Sequence, residues 1–291
     1  MTTAGEHPSV GTERSRLAPA LAAATKELAA AGIESPRVDA ELMVADVLGV
    51  SRGRLVLIDT IRGDELSRFV ELVRRRAARI PLQHLLGTAA FRHLELAVGD
   101  GVFVPRPETE LLAGWGIDHT TPGATVVDLC SGTGAIALAV ADEAVPGRVV
   151  AVERSSAALE FLRRNAAPFP VVQVVPGDVT DPGLAAELPA DVDVVLCNPP
   201  YVPDGTAVPP EVADHDPAEA VFGGPDGLVV IRPVIALAAA LLRPGGVVGI
   251  EHDDVHATAV PDLLRADGRF IDVVEHRDLA GRPRFATARR G

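Results

Sequence analysis

The sequence predicts an α/β fold in which a doubly wound, mostly parallel seven-stranded sheet follows a small helical N-terminal domain. From residue 125 onward, short apolar runs alternate with helix-length segments, which is typical of a parallel sheet with helices on both faces. A glycine-rich loop over residues 130–134 follows the first of these runs. Hydrophobic residues make up 47% of the chain and aromatic residues only 3%, so the core must be built from Ala, Val and Leu.

Composition narrows the classes of function. The formal net charge of -13 argues against broad attraction to nucleic acid or to anionic membranes, which requires a positive field. The two cysteines, Cys130 and Cys197, are too few for a disulfide scaffold and are expected to be reduced. No apolar stretch reaches the roughly 20 residues that cross a bilayer. We therefore expect a cytoplasmic protein.

The first part of the chain is predicted to be helical. Residues 1–12 show no periodicity and are expected to form a disordered tail. Residues 13–81 are expected to form a helical domain, because apolar positions recur at three- and four-residue spacing over residues 17–31, 36–48 and 64–79. The arginine-rich end of the third segment suits either a polyanion or the negative end of the helix dipole.

A linker and a stiff segment come next. Short apolar runs at residues 84–86 and 94–98, punctuated by glycines, predict a β-hairpin linker over residues 82–104. Residues 104–110 read Val-Pro-Arg-Pro-Glu-Thr-Glu and precede a helix that runs to about residue 119. Pro107 suits the first turn of that helix.

The second predicted domain, over residues 105–291, contains the sheet. In chain order, the strands are expected at residues 125–129, 148–152, 171–175, 192–197, 247–251, 270–276 and 284–288. The helices between them are expected at residues 135–144, 156–166, 228–242 and 257–266. Only a tight connection precedes the last strand, which predicts that it is antiparallel to its neighbour. In a doubly wound sheet the first and fourth strands are adjacent, so the loops that follow them should meet, with Cys130 near Cys197.

The glycine loop indicates a nucleoside cofactor. Glycines at 132 and 134 let the backbone turn sharply and approach a ligand, and Glu153 ends the next strand, where a carboxylate can accept from a ribose diol. The loop also fits Gly-x-Gly-x-x-Ala, so a dinucleotide is a rival. Asp128 favours S-adenosylmethionine, because a carboxylate suits an ammonium and a sulfonium better than a pyrophosphate.

Two further loops carry candidate site residues. Asp178 follows the third strand, where it suits either an adenine amine or a solvent-facing turn. The fourth strand ends in Asn-Pro-Pro-Tyr at residues 198–201. An amide, a proline carbonyl and an aromatic face could bind a planar amine or amide, although the segment alone fits a simple turn equally well. Residues 251–256 are rich in acids and histidines but lack metal-ligand spacing, so no metal site is expected.

Taken together, these motifs resemble those of the release factor glutamine methyltransferases, the HemK or PrmC family. The resemblance rests on residues 104–110, the Gly-Thr-Gly-Ala loop at 132–135, residues 198–201, and Phe-Gly-Gly-Pro-Asp-Gly-Leu at 222–228. It implies a class I S-adenosylmethionine-dependent methyltransferase fold. It also implies methyl transfer from S-adenosylmethionine to the side-chain nitrogen N5 of a glutamine in class 1 peptide chain release factors, which the helical domain would recognise. We expect the protein to be a monomer.

The resemblance also implies residue roles. Position 130 is often glycine in such loops, whereas this chain has Cys130. The cofactor-binding residues implied by the family pattern are Asp128, Cys130, Ser131, Gly132, Thr133 and Gly134 near the methionine part, Glu153 at the ribose, Asp178 and Val179 at the adenine, and Asn198. The implied catalytic residues are Asn198, Pro199 and Tyr201. The implied substrate-binding residues are these three together with Pro200, Arg106, Pro107 and Thr109.

The residue types suggest a mechanism and leave two rivals. An amide nitrogen is a poor nucleophile, but if Asn198 Oδ1 and the Pro199 carbonyl each accept one of its N–H groups, its lone pair is aimed at the methyl group. A nucleic-acid adenine-N6 methyltransferase would use the same residues on a flipped base, although its need for phosphate-binding charge disagrees with the net charge of -13. A noncatalytic cofactor-binding protein is the second rival.

Overall fold

The computed structural model describes residues 13–291, so the expected tail over residues 1–12 lies outside the described residues. The chain divides into two compact units, Met1–Gly87 and Thr88–Gly291. Among the described residues, no helix is both long enough and apolar enough to cross a membrane.

The first unit has a helical core of its own. Its elements are β1 (Arg14–Arg16), α1 (Leu17–Ala30), α2 (Pro36–Leu48), a 3-10 helix (Arg52–Leu57), β2 (Thr60–Arg62), α3 (Gly63–Ala77) and α4 (Leu82–Leu86). The three predicted helices are confirmed, because α1 buries Leu17, Leu21 and Leu28 at helical spacing and α2 ends at Gly49 in the left-handed region. The antiparallel pair β1–β2 was not predicted, since three residues are too few to show alternation.

One predicted strand is wrong. Residues 84–86 were expected to form one strand of a hairpin, but they lie in α4. The antiparallel pair consists of β3 (Thr88–Phe91) and β4 (Leu94–Ala97), which belong to the second unit. A three-residue apolar run has no periodicity that separates a helix from a strand, so the sequence pattern could not decide between them.

The second unit contains the predicted sheet. Its strands are β5 (Thr125–Leu129), β6 (Arg148–Glu153), β7 (Val172–Pro176), β8 (Val192–Cys197), β9 (Leu242–Glu251), β10 (Phe270–Arg277) and β11 (Pro283–Arg290). The strand order is β10-β11-β9-β8-β5-β6-β7. β5 and β8 are adjacent and parallel, with Leu129 opposite Cys197, which confirms the expected neighbours. β11 is antiparallel to both β9 and β10, as predicted for the last strand, and lies between them.

Helices cover both faces of this sheet. They are α5 (Thr109–His119), α6 (Ala135–Glu143), α7 (Ser156–Ala166), α8 (Pro210–His215), α9 (Ala218–Val221), α10 (Ile231–Leu241) and α11 (Ala259–Asp267). Val126 and Val194 pack on the face covered by α5, α6 and α7, whereas Val127 and Val195 pack on the face covered by α10 and α11. The strands are therefore buried on both sides, which is why they read as continuous apolar runs.

Candidate active site

Loops at the carboxyl ends of β5, β6, β7 and β8 line one cavity of about 260 Å³ in the second unit. Parallel strands place these loops at one edge of the sheet, where doubly wound folds bind ligands. The structure brings together at this cavity the predicted residues Arg106, Thr109, Asp128, Cys130, Ser131, Gly132, Thr133, Glu153, Asp178, Val179, Asn198, Pro199, Pro200 and Tyr201. Gly134 and Pro107 are not among the lining residues.

The two loop glycines have different roles. A Cβ at Gly134 would lie 2.6 Å from Leu162 Cδ1, so this residue is required for packing α6 against α7. A Cβ at Gly132 would have no atom within 4 Å, which leaves open space on the cavity side. Both residues have a positive φ, as does Cys130 at φ 58°. Cys130 therefore occupies a left-handed position that favours glycine, which accounts physically for the glycine often found there.

The Glu153 carboxylate holds the glycine loop. Its Oε2 accepts a hydrogen bond from the backbone N–H of Gly132 at 2.8 Å. Its Oε1 accepts from the N–H groups of Arg154 at 2.8 Å and Ser155 at 2.7 Å. The sequence assigned this residue to the ribose and missed its bond to the loop. Oε2 accepts only one hydrogen bond here and retains capacity for a further donor, so the contacts are compatible with both roles.

Asp178 and Val179 lie at the end of the cavity beyond β7. Asp178 Oδ1 accepts from the backbone N–H of Thr180 at 2.9 Å and from its hydroxyl at 2.7 Å, as in an ordinary turn. Burial raises the pKa of Asp178, but the Thr180 donors and Arg154 outweigh it, so the pKa is below its usual value. Val179 is buried in the core and presents apolar surface to the cavity.

The Asn-Pro-Pro-Tyr segment follows β8 and is fixed by two side-chain contacts. Asn198 Nδ2 donates to Thr109 Oγ1 at 3.1 Å, and the Tyr201 hydroxyl donates to Glu251 Oε1 at 3.0 Å. Burial, and then Glu251, raise the pKa of Tyr201 well above its usual value. On the sequence alone, Glu251 was considered only as a possible metal ligand. Its position at the end of β9, the strand beside β8, was the feature that could have placed it near Tyr201.

A glycine-rich segment over residues 222–228 packs against the backbone of the Asn-Pro-Pro-Tyr segment. Val202 and Phe222 form a parallel bridge. A Cβ at Gly223 would lie 2.6 Å from the Pro200 carbonyl oxygen, so only glycine allows the two backbones to approach this closely. The two motifs, distant in sequence, thus form one backbone unit.

The stiff segment before α5 joins the cavity wall through Arg106. Its guanidinium forms an ion pair with Asp216 and lies 4.7 Å from the centre of the Phe103 ring. Pro107 was expected in the first helical turn and at the substrate, but α5 begins at Thr109, and Pro107 is exposed in the preceding turn. Its carbonyl accepts from the N–H of Glu110 at 3.1 Å, which gives it a local role in starting the helix.

Comparisons with known proteins decide the family. A PrmC N-terminal domain model matches residues 19–87, and a methyltransferase small domain model matches residues 109–215. The release factor glutamine methyltransferase of Mycolicibacterium smegmatis is 55% identical over 94% of this chain and 98% of its own length. The chain belongs to the release factor glutamine methyltransferase family.

The chain is also similar to other methyltransferases. The release factor glutamine methyltransferase of Mycobacterium tuberculosis is 46% identical over 90% of this chain and 88% of its own length. A 4-amino-L-phenylalanine/4-methylamino-L-phenylalanine methyltransferase of Streptomyces pristinaespiralis is 40% identical over 87% and 89%. A 16S rRNA methyltransferase of T. thermophilus, solved with AdoMet and guanosine, shares the fold at 22% identity and a TM-score of 0.50, covering 70% of this chain and 50% of the other.

As a member of this family, the protein is an S-adenosylmethionine-dependent methyltransferase, which decides against a dinucleotide cofactor and a noncatalytic role. The cavity residues fit that cofactor. Asp128 is 1% exposed, and its Oδ2 accepts from the N–H of Ala137 at 3.2 Å, while its Oδ1 has no partner among the described residues. Burial raises the pKa of Asp128 to about 7, against smaller opposing effects of Ser131 and Ala137. A positively charged donor in the cavity would stabilise this buried Asp128 oxygen, which otherwise lacks a hydrogen-bond partner among the described residues.

The residues that would hold the cofactor follow from their positions. Asp128 would meet its positive groups, Gly132 leaves space for its approach, and Glu153 lies at the end of the adjacent strand. When bound, S-adenosylmethionine supplies an electrophilic methyl group on a positively charged sulfur.

Within residues 13–291, no three His, Cys, Asp or Glu side chains come together as metal ligands. The His252 ring contacts the Asp253 carbonyl and the Glu275 carboxylate.

Proposed function

We propose that this enzyme methylates the side-chain amide nitrogen N5 of a glutamine in class 1 peptide chain release factors and so modulates translation termination. The observation that carries this proposal is the state of Asn198. Its Nδ2 is bound to Thr109, while its Oδ1 accepts no hydrogen bond from the described residues, and Asn198 lines the cavity beside Pro199. The site thus offers a fixed acceptor next to the cofactor loop. The names of the related methyltransferases support glutamine as the acceptor.

The chain's own residues would prepare an amide for transfer. Asn198 Oδ1 and the Pro199 carbonyl would each accept one N–H of the substrate amide, which orients the nitrogen lone pair and increases its electron density. Tyr201 is partly buried, and its hydroxyl is held by Glu251, so its ring is fixed against the substrate plane. The lining is largely apolar, with Val202, Val208 and Val221 among its members, and would exclude water.

The Met1–Gly87 unit would recognise the release factor. It has its own buried core and matches the PrmC N-terminal domain model. Val56 and Leu57 are 84% and 80% exposed in this unit, and exposed apolar side chains of this size are available for a protein contact. We propose that the enzyme acts as a monomer in the cytoplasm, where release factors act.

The test is methyl transfer to a purified release factor. The full chain is incubated with methyl-labelled S-adenosylmethionine and the factor, and the modified residue is mapped by mass spectrometry. We expect one methyl group on a single glutamine side chain. Methyl on another residue type, or none, would overturn the proposal.

Parallel reactions separate the other acceptors. Double-stranded and single-stranded DNA test the adenine-N6 alternative, which the net charge of -13 disfavours. Free 4-amino-L-phenylalanine tests the acceptor named for the S. pristinaespiralis relative. We expect no labelling of either. Labelling of these compounds without labelling of the release factor would reassign the substrate class.

A further inference from the structure

Glu251 is a buried carboxylate with no assigned role in the reaction described above. It ends β9, whose Ile250 lies opposite Cys197 in the adjacent strand β8. Glu251 is 1% exposed, so its carboxylate cannot be solvated by bulk water. A charged or polar group at this depth is expected to be held by hydrogen bonds or to hold others in place.

The contacts of Glu251 reach both ends of the acceptor motif. Tyr201 donates to its Oε1 at 3.0 Å. Burial raises the pKa of this carboxyl to about 7, against the smaller opposing effect of the neighbouring Thr109 hydroxyl. Glu251 Oε2 has no partner among the described residues. Thr109 Oγ1 in turn accepts from Asn198 Nδ2 at 3.1 Å, so one carboxylate adjoins both the tyrosine and the threonine that contact the substrate site.

The direction of these hydrogen bonds is determined by chemistry. An ionised carboxylate can only accept, and a threonine hydroxyl has one proton to donate. The Thr109 oxygen accepts from Asn198 Nδ2, so its own proton is directed elsewhere, and the neighbouring buried acceptor without a partner among the described residues is Glu251 Oε2. A Thr109 hydroxyl that donated there would offer only its oxygen to Asn198, and Asn198 would have to present Nδ2 rather than Oδ1 to it. Asn198 Oδ1 is then left to accept from a substrate amide.

We propose that Glu251 is a positioning residue whose carboxylate sets the polarity of the Thr109 and Asn198 hydrogen bonds and fixes Tyr201, so that Asn198 Oδ1 is kept as an acceptor for the substrate. This inference rests on the proposed function, in which an amide is bound at Asn198. A donor at position 251 would reverse the chain of bonds. Thr109 could then donate to Asn198 Oδ1 and remove the acceptor.

Protonation of Glu251 would have the same effect as such a donor. A neutral carboxyl carries a proton that it can donate to Thr109. The titratable or charged groups around Glu251 and Tyr201 are Arg284 on β11, Glu108 before α5, Cys197 on β8, Asp278 through Arg284, and His256 after β9. With the cofactor saturating, kcat is therefore expected to fall as the pH falls through about 7.

The first test compares Glu251→Gln with the wild type in the release factor assay. Gln has the same shape but donates through its NH₂ group, so we expect kcat to fall about 10- to 100-fold with cofactor affinity unchanged. The decline of kcat toward acidic pH should also disappear. Glu143→Gln, which removes a carboxylate paired with Arg92 outside the cavity, is the matched control and should retain kcat. Full kcat in Glu251→Gln would overturn the proposal.

A second pair tests the relay at Thr109. Thr109→Val keeps the shape but removes the hydroxyl, and we expect it to lose kcat about as strongly as Glu251→Gln. Thr109→Ser keeps the hydroxyl and should restore most of the loss. Equal turnover by the Val and Ser variants would contradict the relay.

A third test does not depend on turnover. Tyr201 is the only tyrosine of the chain, so protein labelled with ¹³Cζ-tyrosine gives one tyrosine resonance. We expect its chemical shift to titrate near pH 7 in the wild type and to stop titrating in Glu251→Gln. A flat wild-type signal, or one that still titrates in the variant, would overturn the role of Glu251. Failure of glutamine methylation by the wild type would instead refute the proposed function.

Discussion

Gly227 lies against the backbone of Tyr201. A Cβ at position 227 would be 2.3 Å from the Tyr201 carbonyl oxygen and 2.6 Å from His256 Cε1, and the residue has φ 70°. His256 Nε2 in turn contacts the carbonyl oxygen of Asp226 at 2.9 Å. The position of the Asn-Pro-Pro-Tyr loop is therefore set by close backbone packing as well as by side-chain hydrogen bonds.

Gly227→Ala should displace the Asn-Pro-Pro-Tyr loop. We expect kcat to fall by about 100-fold, because an added methyl group at this contact can only be accommodated by movement of the Tyr201 backbone. Gly205→Ala is the matched control, since Gly205 has φ 80° but no atom within 4 Å of a Cβ. Both substitutions should cost about 1–2 kcal/mol from the positive φ, measured by denaturant unfolding. Equal kcat values in the two variants would show that the contact is not needed.

Asn198→Ala should separate catalysis from cofactor binding. Removing Oδ1 takes away one acceptor for the substrate amide, so kcat should fall about 10²- to 10³-fold. The dissociation constant for S-adenosylmethionine, measured by calorimetry, should change little, because the cofactor loop is held by Glu153 rather than by Asn198. A variant with full turnover would remove Asn198 from the mechanism.

Arg106 and Asp216 should act as a unit. The Asp216 side chain is 1% exposed and the Arg106 side chain 33%, so their ion pair links the segment before α5 to the end of α8 across the cavity wall. A double-mutant cycle with Arg106→Ala and Asp216→Ala should give a coupling of about 0.5–3 kcal/mol in kcat/KM for the release factor. The surface pair Arg265 and Asp262, exposed by 56% and 61%, is the control and should show almost no coupling. Additive effects of the two cavity substitutions would contradict the link.

The glycine loop offers a paired test of packing against binding. Gly134→Ala should lower the free energy of unfolding more than Gly132→Ala, since only the former would clash with Leu162. Gly132→Ala should weaken cofactor binding, because its methyl group would enter the cavity. Calorimetry and denaturant unfolding on both variants check this. If Gly132→Ala weakened cofactor binding no more than Gly134→Ala does, the open space at Gly132 would not be used by the cofactor.

The sheet and the cofactor loop could be predicted from local patterns. Val192–Cys197 is a continuous apolar run because both of its faces are buried, and its place beside β5 follows from the general order of doubly wound sheets. The loop glycines could be recognised from their spacing. Only Gly134 packs against Leu162, whereas Gly132 faces open space. This difference depends on the tertiary structure, which no local sequence pattern reveals.

The contacts that hold the acceptor motif could not be predicted. Tyr201 and Glu251 are 50 positions apart, and Asn198 and Thr109 are 89 apart, so each pairing exists only after the sheet has formed. Glu251 was predicted to end a strand, but nothing in the sequence indicates that Tyr201 and Thr109 lie beside it. Gly227 resembles an ordinary loop glycine until the backbone of Tyr201 is placed against it.

Asp128 should make both stability and cofactor binding depend on pH. Its pKa in the folded protein is about 7, against an ordinary value of 3.8, because burial penalises the charged form. The folded state therefore binds more protons than the unfolded state between these values. The free energy of unfolding should fall as the pH rises through this range, by up to about 1.4 kcal/mol per pH unit. Glu251, with a pKa of about 7, acts in the same direction.

Asp128→Asn isolates this contribution. His276, whose pKa burial lowers, has the opposite slope below its usual value, but it is common to both proteins and cancels in the difference. Without cofactor, the variant should be more stable than the wild type at pH 7.5 and should lose that advantage toward pH 5. Denaturant unfolding at several pH values measures the difference. A constant difference across this range would show that Asp128 does not titrate there.

Cofactor binding should show the complementary behaviour. The ionised form of Asp128 attracts the positive groups of S-adenosylmethionine, so wild-type affinity should weaken as the pH falls below about 7. Asp128→Asn should bind more weakly at pH 8, and its affinity should change less between pH 8 and 6, because the amide carries no charge at either pH. Calorimetric titration of both proteins separates this change from any protonation of the cofactor itself, which is common to them. If the two proteins lost affinity in parallel, the orphan oxygen of Asp128 would not be the site where the cofactor's charge is met.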